Sequence, residues 1–340
     1  MDPMVTVVIP CRNEAPFIRL VIESVLRSAY PRERFEVLFV DGMSTDGTRG
    51  ILAATAKDRS FIRVLDNPRR VTPAGMNVGI KAARGEIIVR LDAHSSYDAD
   101  YIPRCVRLLL SGDRIGSAGG RSVIVPNGDG PWAKAVAFVT AHRFGMGGGA
   151  YKASLRPGAV DTVALGTFRR EVLESVGLYD ERLTRNQDNE LHARLKRAGY
   201  SVIYDPAIIM YYRNQATLKG LVRQGYRASK WNVYTLVLHP YTWKLRRFVP
   251  MLFVVYLAAL GAAAWRRPDL LPAAAAPLGL YALMAAAFSL TGGRTAADRL
   301  RVGATFVSYH LAYGVGPFIG LLNVLTGRWR EHLGRPFGEI

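Results

Sequence analysis

Cysteine is scarce in this sequence, and several familiar nucleotide-binding motifs are missing. The 340 residues include only Cys11 and Cys105, which suggest no disulfide pairing and suit a reducing compartment. No Gly-x-Gly-x-x-Gly turn follows the first predicted strand, which argues against a nicotinamide-dependent oxidoreductase, and the absence of Gly-Lys-Ser/Thr argues against a P-loop. The N-terminus, MDPMVTVVIP, lacks the features of a secretory signal, so we expect the first domain to remain in the cytoplasm.

Acidic residues are also under-represented. The chain carries 27 Asp and Glu against 45 Lys and Arg, a formal net charge of +18. Such an excess suits nucleic acid, an anionic membrane or a polyanionic substrate. No nucleic-acid-binding signature is present, and the basic residues of the C-terminal part cluster beside long apolar runs. We therefore predict a membrane as partner and no nucleic acid.

The apolar runs begin after Arg247. Three segments, 248–265, 270–290 and 302–325, approach the roughly 20 residues that a membrane span needs. Basic residues at 244, 246 and 247 favour a cytoplasmic start for the first span. Three crossings would leave the arginines of the tail outside, so a re-entrant third segment and a tail that folds back are alternatives. Core helices of a soluble domain are a further alternative.

Strands and helices alternate before residue 110. Strands are predicted at 5–10, 35–40, 62–65 and 85–91, with helices between them, which indicates an α/β, doubly wound and mostly parallel sheet. Further strands are predicted at 122–125 and 161–165, and helices at 168–176 and 186–198. Residues 143–158 are rich in glycine and are predicted to be a mobile loop. The helix predicted at 218–238 mixes cations with Trp231 and Tyr234, which favours the headgroup layer of a membrane.

Acidic residues follow two of the predicted strands. The stretch GEIIVRLDAHS is a buried strand that runs into Asp92 and His94. Residues just past the carboxyl ends of parallel strands face the ligand crevice, where period-2 geometry places Asp92 and His94 on one side to bind one divalent ion. Asp41, at the end of the second strand, is placed to accept a hydrogen bond from a nucleobase. Helix capping by Asp92 and turn capping by Asp41 are the structural alternatives.

Asp188 lies in a polar cluster, NQDNE, at the start of a predicted helix. The helix dipole favours an anion there, so we expect Asp188 to be ionised at neutral pH. An ionised carboxylate is what a general base needs in order to accept the proton of an attacking hydroxyl. A carboxylate that only stabilises its helix is the alternative.

These residues belong to a series of motifs whose order along the chain resembles that of a known enzyme family. The segments VIP with NE, VDG, RG, DAH and QDNEL occur in this order, together with longer phrases such as VDTVALGTFRREVLESVG. The series resembles inverting family 2 glycosyltransferases with the GT-A fold. Within that family it is most similar to the membrane-attached enzymes of succinoglycan-type exopolysaccharide assembly, and the resemblance covers roughly residues 4–240.

The resemblance implies roles for particular residues. Around the nucleotide it implies Pro10, Asn13, Glu14 and Asp41. Asp92 and His94 stand where the family has its Asp-x-Asp metal motif, which implies a divalent cation, Mn²⁺ or Mg²⁺. The histidine is chemically sound there, because neutral imidazole binds manganese. Asp188 matches the catalytic base. Gln224 and Arg227 match part of the family's Gln-x-x-Arg-Trp element, which contacts diphosphate or acceptor, although Ala228 replaces its Trp. In the mechanism we expect, Arg227 or Lys230 helps to neutralise the leaving diphosphate.

The resulting expectation is a multi-pass enzyme of the inner membrane. Residues 1–213 would form a cytosolic GT-A catalytic domain, 214–247 amphipathic interface helices, and 248–340 a membrane domain. The enzyme would transfer a sugar from a nucleoside-diphosphate sugar, such as a UDP-sugar, to a hydroxyl of a lipid-linked saccharide. The alternatives are a polyprenyl-phosphate glycosyltransferase, whose nucleophile is the lipid phosphate, and a non-catalytic scaffold that binds the sugar nucleotide.

Overall fold

The computed structural model describes residues 2–146, 154–266, 269 and 271–336. The chain divides into two units, which do not follow chain order. Unit 1 comprises Met1–Val123, Gly149–Arg213 and Glu331–Ile340, and unit 2 comprises Ile124–Gly148 and Asn214–Arg330.

Unit 1 begins with four parallel strands. These are β1 (Val5–Cys11), β2 (Phe35–Asp41), β3 (Ile62–Asp66) and β4 (Ile87–Arg90), in the spatial order β3-β2-β1-β4. The helices between them are α1 (Ile18–Arg27), α2 (Thr48–Ala56) and α3 (Thr72–Ala82). Alternate residues of β1 enter different hydrophobic clusters, Val7 in one and Val8 in the other, because successive side chains of a strand point to opposite faces. The sheet is therefore covered on both faces, as its apolar strands predict.

The remaining part of the sheet is antiparallel. It contains β5 (Ser95–Tyr97), β6 (Ile115–Val125), β7 (Gly158–Ala159), β8 (Thr167–Arg169) and β9 (Ser201–Arg213). Strand β8 pairs with β4, and β9 pairs with β5 and β7. The associated helices are α4 (Tyr101–Leu110), α7 (Arg170–Val176) and α8 (Gln187–Arg197). The predicted α/β class is confirmed, and the complete sheet is mixed.

The strand predicted at 161–165 is wrong. The strands flanking it are β7 and β8, and the intervening backbone turns at Leu165, which has a positive φ of 53°. The next residue, Gly166, lies so close to the Phe168 ring that a Cβ would come within 2.4 Å of it. The apolar alternation of this stretch therefore packs a turn and not a strand.

Unit 2 is helical. Its N-terminal part is α5 (Pro131–Ala141) and α6 (Arg143–Met146), so the predicted glycine-rich loop begins with a helical turn, and its residues 147–153 lie outside the described residues. The later helices are α9 (Leu218–Leu238), α10 (Val249–Arg266), α11 (Leu271–Ala274), α12 (Ala276–Thr291) and α13 (Ala296–Leu325). Among the described helices, α10 and α13 are long and apolar enough to span a membrane, whereas α12 is a shorter apolar helix.

Helix α9 packs along α13. Gly225 faces Tyr309, Ser229 faces Gly316 and Val233 faces Gly320, so the two helices run in the same direction. Trp231 and Tyr234 are fully buried, and the Tyr234 hydroxyl accepts a hydrogen bond from Asn323 at 2.7 Å. These aromatic side chains therefore serve packing within unit 2, and the location of this helix in the headgroup layer stays a prediction.

Candidate active site

The loops that follow β1 and β2 are joined by hydrogen bonds. The backbone N–H of Asn13 donates to Ser44 Oγ at 2.9 Å, and Thr45 N–H donates to Asn13 Oδ1 at 2.9 Å. Glu14 N–H donates to Thr48 Oγ1 at 2.8 Å. Asn13 has a left-handed backbone with φ of 55°, a conformation that Asn tolerates better than most residues. Pro10, in β1, is paired in register with Val40 of β2, so three predicted nucleotide-binding residues lie at one edge of the sheet.

Asp41 shapes the turn that follows β2. Its Oδ1 accepts a hydrogen bond from Ser44 Oγ at 2.5 Å, and its Oδ2 pairs with Arg49 at 3.3 Å. The side chain has no exposed surface. This arrangement matches the turn-capping alternative. A direct hydrogen bond to a nucleobase would require Asp41 to exchange Ser44 or Arg49 for the ligand.

Asp92 and His94 have side-chain atoms suited to a divalent cation. Asp92 Oδ2 and His94 Nε2 receive no hydrogen bond from the residues that the structure describes, and their side chains are 21% and 32% exposed. His94 Nδ1 lies 3.2 Å from Glu14 Oε1. A carboxylate behind a ligating imidazole fixes the ring orientation and its tautomer. Glu14 is thus placed to orient His94.

The described residues contain no cluster of three or more metal-ligating side chains. A cation at Asp92 and His94 would therefore take its other ligands from water and substrate phosphate, as is usual for Mg²⁺. Burial favours neutral His94, but the hydrogen bond to Glu14 and the charge of Asp92 outweigh it and raise the pKa of His94. Cation binding must then compete with a proton.

Arg90 connects the predicted metal ligand with the predicted base. This arginine ends β4, its side chain is 5% exposed, and Nη2 lies 3.3 Å from Asp92 Oδ1. Its Nη1 forms an ion pair with Asp188 Oδ1, and its guanidinium lies 6.0 Å from the centre of the Tyr179 ring. One buried cation therefore holds Asp92 and Asp188 in the same place. Arg90 was not among the predicted site residues, although a single charge inside an apolar strand requires a partner when it is buried.

The charges of this group shift two pKa values upward. Burial raises the pKa of Asp188; Arg90 opposes this effect and Asp92 adds to it, so the net shift is upward. Burial favours neutral Arg90, but the carboxylates of Asp188 and Asp92 outweigh it and raise the pKa of the guanidinium. Asp188, with 29% of its side chain exposed, is therefore a stronger base than an ordinary Asp and stays beside a permanent cation.

His192 fixes the helix that carries Asp188. It lies one turn later on α8, with Nε2 at 3.0 Å from Ser117 Oγ and Nδ1 at 2.8 Å from Thr162 Oγ1. Burial lowers the pKa of His192 to about 3. The neutral ring therefore links α8 to β6 and to the turn before β8, a role that its sequence position did not reveal.

Glu190 has a structural role. It is fully buried and pairs with Arg194, whose Nε and Nη2 both lie 2.7 Å from the carboxylate oxygens. Arg194 also donates to the carbonyl oxygen of Leu178 at 2.7 Å. Glu190 therefore serves to hold α8 against the segment that precedes it.

The other predicted site residues belong to unit 2. Gln224, Arg227 and Lys230 lie three residues apart on α9, a spacing that places neighbours on adjacent positions of one helix surface. Lys230 is 9% exposed, and its Nζ lies 5.9 Å from the Tyr226 ring and 6.0 Å from the Tyr234 ring. Their predicted contacts to diphosphate or acceptor remain predictions.

The fold is that of known glycosyltransferases. A mannosyltransferase from Pyrobaculum calidifontis, solved with GDP-Man and Mn²⁺, matches with a TM-score of 0.65 at 23% identity, covering 94% of this chain and 88% of that one. GalNAc-T7, solved with UDP, GalNAc and Mn²⁺, matches with a TM-score of 0.50 at 18% identity over 68% of this chain and 51% of that one. The mixed sheet and these matches define a GT-A-type fold, as the motifs predicted.

Sequence comparisons identify the family to which the chain belongs. The model of glycosyl transferase family 2 matches residues 6–177. The succinoglycan biosynthesis protein ExoA of Rhizobium meliloti (strain 1021) is 31% identical over 331 residues, which cover 93% of this chain and 94% of ExoA. The chain belongs to glycosyltransferase family 2.

A second relative comes from Methanococcus voltae. It is named dolichyl N-acetyl-alpha-D-glucosaminyl phosphate 3-beta-D-2,3-diacetamido-2,3-dideoxy-beta-D-glucuronosyltransferase. It is 25% identical over 236 residues, which cover 66% of this chain and 72% of the relative.

Proposed function

We propose that this glycosyltransferase moves a sugar from a nucleoside-diphosphate sugar, in the first instance a UDP-sugar, to a hydroxyl of a lipid-linked saccharide, with inversion. The product would serve exopolysaccharide or cell-surface glycan assembly. The observation that carries this proposal is the shared contact of Asp188 and Asp92 with Arg90. A base for the acceptor and a carboxylate for the donor side are the two groups that a single in-line displacement needs.

Asp188 would accept the proton of the acceptor hydroxyl. Its raised pKa makes it a better proton acceptor, since a base works best when its pKa approaches the working pH. Arg90 would hold Asp188 in position and favour its ionised form. The attacking oxygen would approach the anomeric carbon from the side opposite the leaving diphosphate, which inverts the configuration.

Asp92 and His94 are the residues that would hold Mn²⁺ or Mg²⁺. When bound, such an ion supplies positive charge that stabilises the leaving nucleoside diphosphate. Pro10, Asn13, Glu14 and Asp41 would line the nucleoside side of the crevice. Gln224, Arg227 and Lys230 would contribute charge and hydrogen bonds toward diphosphate or acceptor.

A membrane-held acceptor is supported by two observations. Helix α10 is long and apolar enough to cross a bilayer and α12 is a shorter apolar helix, and the name of the Methanococcus voltae relative describes a sugar on dolichyl phosphate as its acceptor. We therefore place the enzyme at the inner membrane, with unit 1 in the cytoplasm.

The test is transfer from radiolabelled UDP- and GDP-sugars to lipid extract in membranes that contain the enzyme, with Mn²⁺, with Mg²⁺ or with a chelator. We expect the Asp188→Asn variant to lose about 100- to 10,000-fold in kcat. Asp92→Ala should lose activity and its response to added metal. Asp58→Asn, which changes an exposed carboxylate of the same unit, is the matched control and should match wild type.

Two outcomes would contradict the proposal. Undiminished transfer by Asp188→Asn would favour the polyprenyl-phosphate alternative, because a lipid phosphate needs no base. An unchanged anomeric configuration in the product, measured by nuclear magnetic resonance, would exclude inversion.

A further inference from the structure

Helix α10 pairs with the helices that follow it. The Tyr256 hydroxyl donates to the carbonyl oxygen of Ala274 at 2.8 Å and accepts from the N–H of Leu278 at 3.1 Å. Earlier on α10, the Phe253 ring lies 4.6 Å from the Tyr281 ring. Later residues of α10 thus face earlier residues of α11 and α12. The three helices form an antiparallel hairpin, whose tip we name by Arg266, the last residue of α10.

This hairpin is apolar on its outside. No described residue of α10 is buried, and Leu252, Leu280 and Leu283 are 52%, 60% and 67% exposed. At about 1.5 Å per residue the 18 residues of α10 are roughly 27 Å long, close to the roughly 30 Å of a hydrocarbon core. Arg266 ends α10 and Asp269 follows before α11, so charged residues stand where the hairpin reverses.

Helix α13 contacts the hairpin near its start, where a Cβ at Gly314 would lie 2.3 Å from the carbonyl oxygen of Pro250, but its longest packing is with α9. It lies along α9 from Tyr309, which faces Gly225, to Gly320, which faces Val233. Helix α9 also carries the charged residues Lys219, Arg223 and Arg227. Several charges on one helix are costly within a bilayer. Because α9 and α13 share this length, α13 would cross only if α9 crossed with it.

The C-terminal tail provides an independent constraint. Within unit 1, the N–H of Gly334 donates to the carbonyl oxygen of Arg182 at 3.0 Å, and Thr184 Oγ1 donates to the carbonyl oxygen of Arg335 at 3.1 Å. The tail therefore returns to the unit that holds the start of the chain. A chain whose flanking segments lie on one side of a membrane crosses it an even number of times.

We propose that the hairpin of α10 and α11–α12 crosses the bilayer twice, and that α13 and the tail stay on the side of unit 1. This inference rests on the membrane attachment proposed above. It also keeps most of the basic residues near the hairpin on the cytoplasmic side, as is preferred, with Arg266 at the tip as an exception. The tail arginines that three crossings would expose, Arg328, Arg330 and Arg335, now stay inside. They join the arginines that flank the hairpin, namely Arg246, Arg247, Arg294, Arg299 and Arg301.

The test uses cysteine labelling with a membrane-impermeant maleimide in bacterial spheroplasts. The native Cys11 and Cys105 are buried, and the chain without an added cysteine is the background control. Single cysteines replace four exposed residues: Asp58 in unit 1, Arg266 at the tip, Ala297 after the hairpin, and Glu331 in the tail. We expect Arg266→Cys to react in intact spheroplasts and the other three to react only after permeabilisation.

Each other pattern would overturn the inference in a distinct way. Reaction of Glu331→Cys in intact spheroplasts would mean an odd number of crossings. Protection of Arg266→Cys until permeabilisation would mean that the hairpin lies on one face. Release of the wild-type chain by alkaline carbonate would instead contradict the proposed membrane attachment itself.

Discussion

Replacing Arg90 with Met tests whether one guanidinium holds the site together. Methionine preserves an unbranched side chain but removes the charge that faces Asp92 and Asp188. Two unit charges 4 Å apart attract by about 4 kcal/mol at an effective dielectric constant of about 20. Breaking a buried pair costs about 3–5 kcal/mol. Both carboxylates retain some exposure, so we expect a loss of stability at the lower end of this range, about 3 kcal/mol. Such a loss lowers the unfolding midpoint by roughly 6–12 °C in a unit of this size.

The loss of stability in Arg90→Met should depend on pH in a defined direction. Without Arg90, nothing opposes the effects of burial and of Asp92 that raise the pKa of Asp188. A carboxylate whose pKa is higher when folded stabilises the fold below its unfolded pKa, and this stabilisation is lost as pH rises through the folded pKa. The unfolding midpoints of Arg90→Met and wild type should therefore converge as pH falls. The acid limb of kcat should move to higher pH, whereas Asp188→Asn stays slow at every pH.

The assay is thermal unfolding of the detergent-solubilised enzyme together with kcat as a function of pH. Asp188→Asn in the Arg90→Met background should recover part of the lost stability, because it removes the uncompensated carboxylate. Arg19→Met, at an exposed position of α1, is the control for loss of an arginine and should change stability by about 0.5 kcal/mol or less. An Arg90→Met variant that behaves like Arg19→Met, or a double variant no more stable than Arg90→Met, would refute the reasoning.

Two further predictions concern the support of the sheet. Glu36 is buried, and although burial favours its neutral form, hydrogen bonds from Arg84, Thr6 and Arg63 outweigh it and lower its pKa. Its stabilisation is therefore lost as pH falls, so Glu36→Gln should lower the unfolding midpoint at pH 7 and flatten its decline in acid; a decline as steep as that of wild type would contradict this. A Cβ at Gly79 would lie 2.3 Å from Val8 Cγ1, so Gly79→Ala should destabilise by about 1–3 kcal/mol. Gly50→Ala, in α2 with open space around the added Cβ, should be neutral or stabilising by about 0.5–1 kcal/mol, and equal midpoints for the two variants would contradict the close packing of α3 on β1.

The sequence predicted those elements whose pattern is local. The amphipathic helix at 218–238 has the bounds of α9, and the early parallel strands end within one residue of the predicted positions, because their apolar runs and flanking turns are encoded in neighbouring residues. Strands β7 and β8 are short and exist through their partners β9 and β4. Such pairing depends on residues distant in sequence, which a local pattern does not contain. The apolar stretch between β7 and β8 therefore predicted a strand where the chain turns.

The candidate site was predictable to the extent that its groups stand at the ends of elements. Asp92 and Asp188 were found because a strand end and a helix start are recognisable positions. Arg90 was missed, since its meaning depends on Asp188, 98 residues away. Burial of Trp231 and Tyr234 against α13 likewise depends on distant residues, so their aromatic character was read as an affinity for membrane headgroups.

The histidine at position 94 is consistent with the charges around it. Glu14 already lies 3.2 Å from the imidazole, and a second carboxylate at that position would repel it, since like charges at this distance disfavour ionisation of both. It would also add negative charge on the side of Asp92, which already raises the pKa of Asp188. An imidazole can bind a cation without adding an anion. The replacement of Asp-x-Asp by Asp-x-His and the buried Arg90 thus act in the same direction, because both limit the negative charge around a base that must remain ionised.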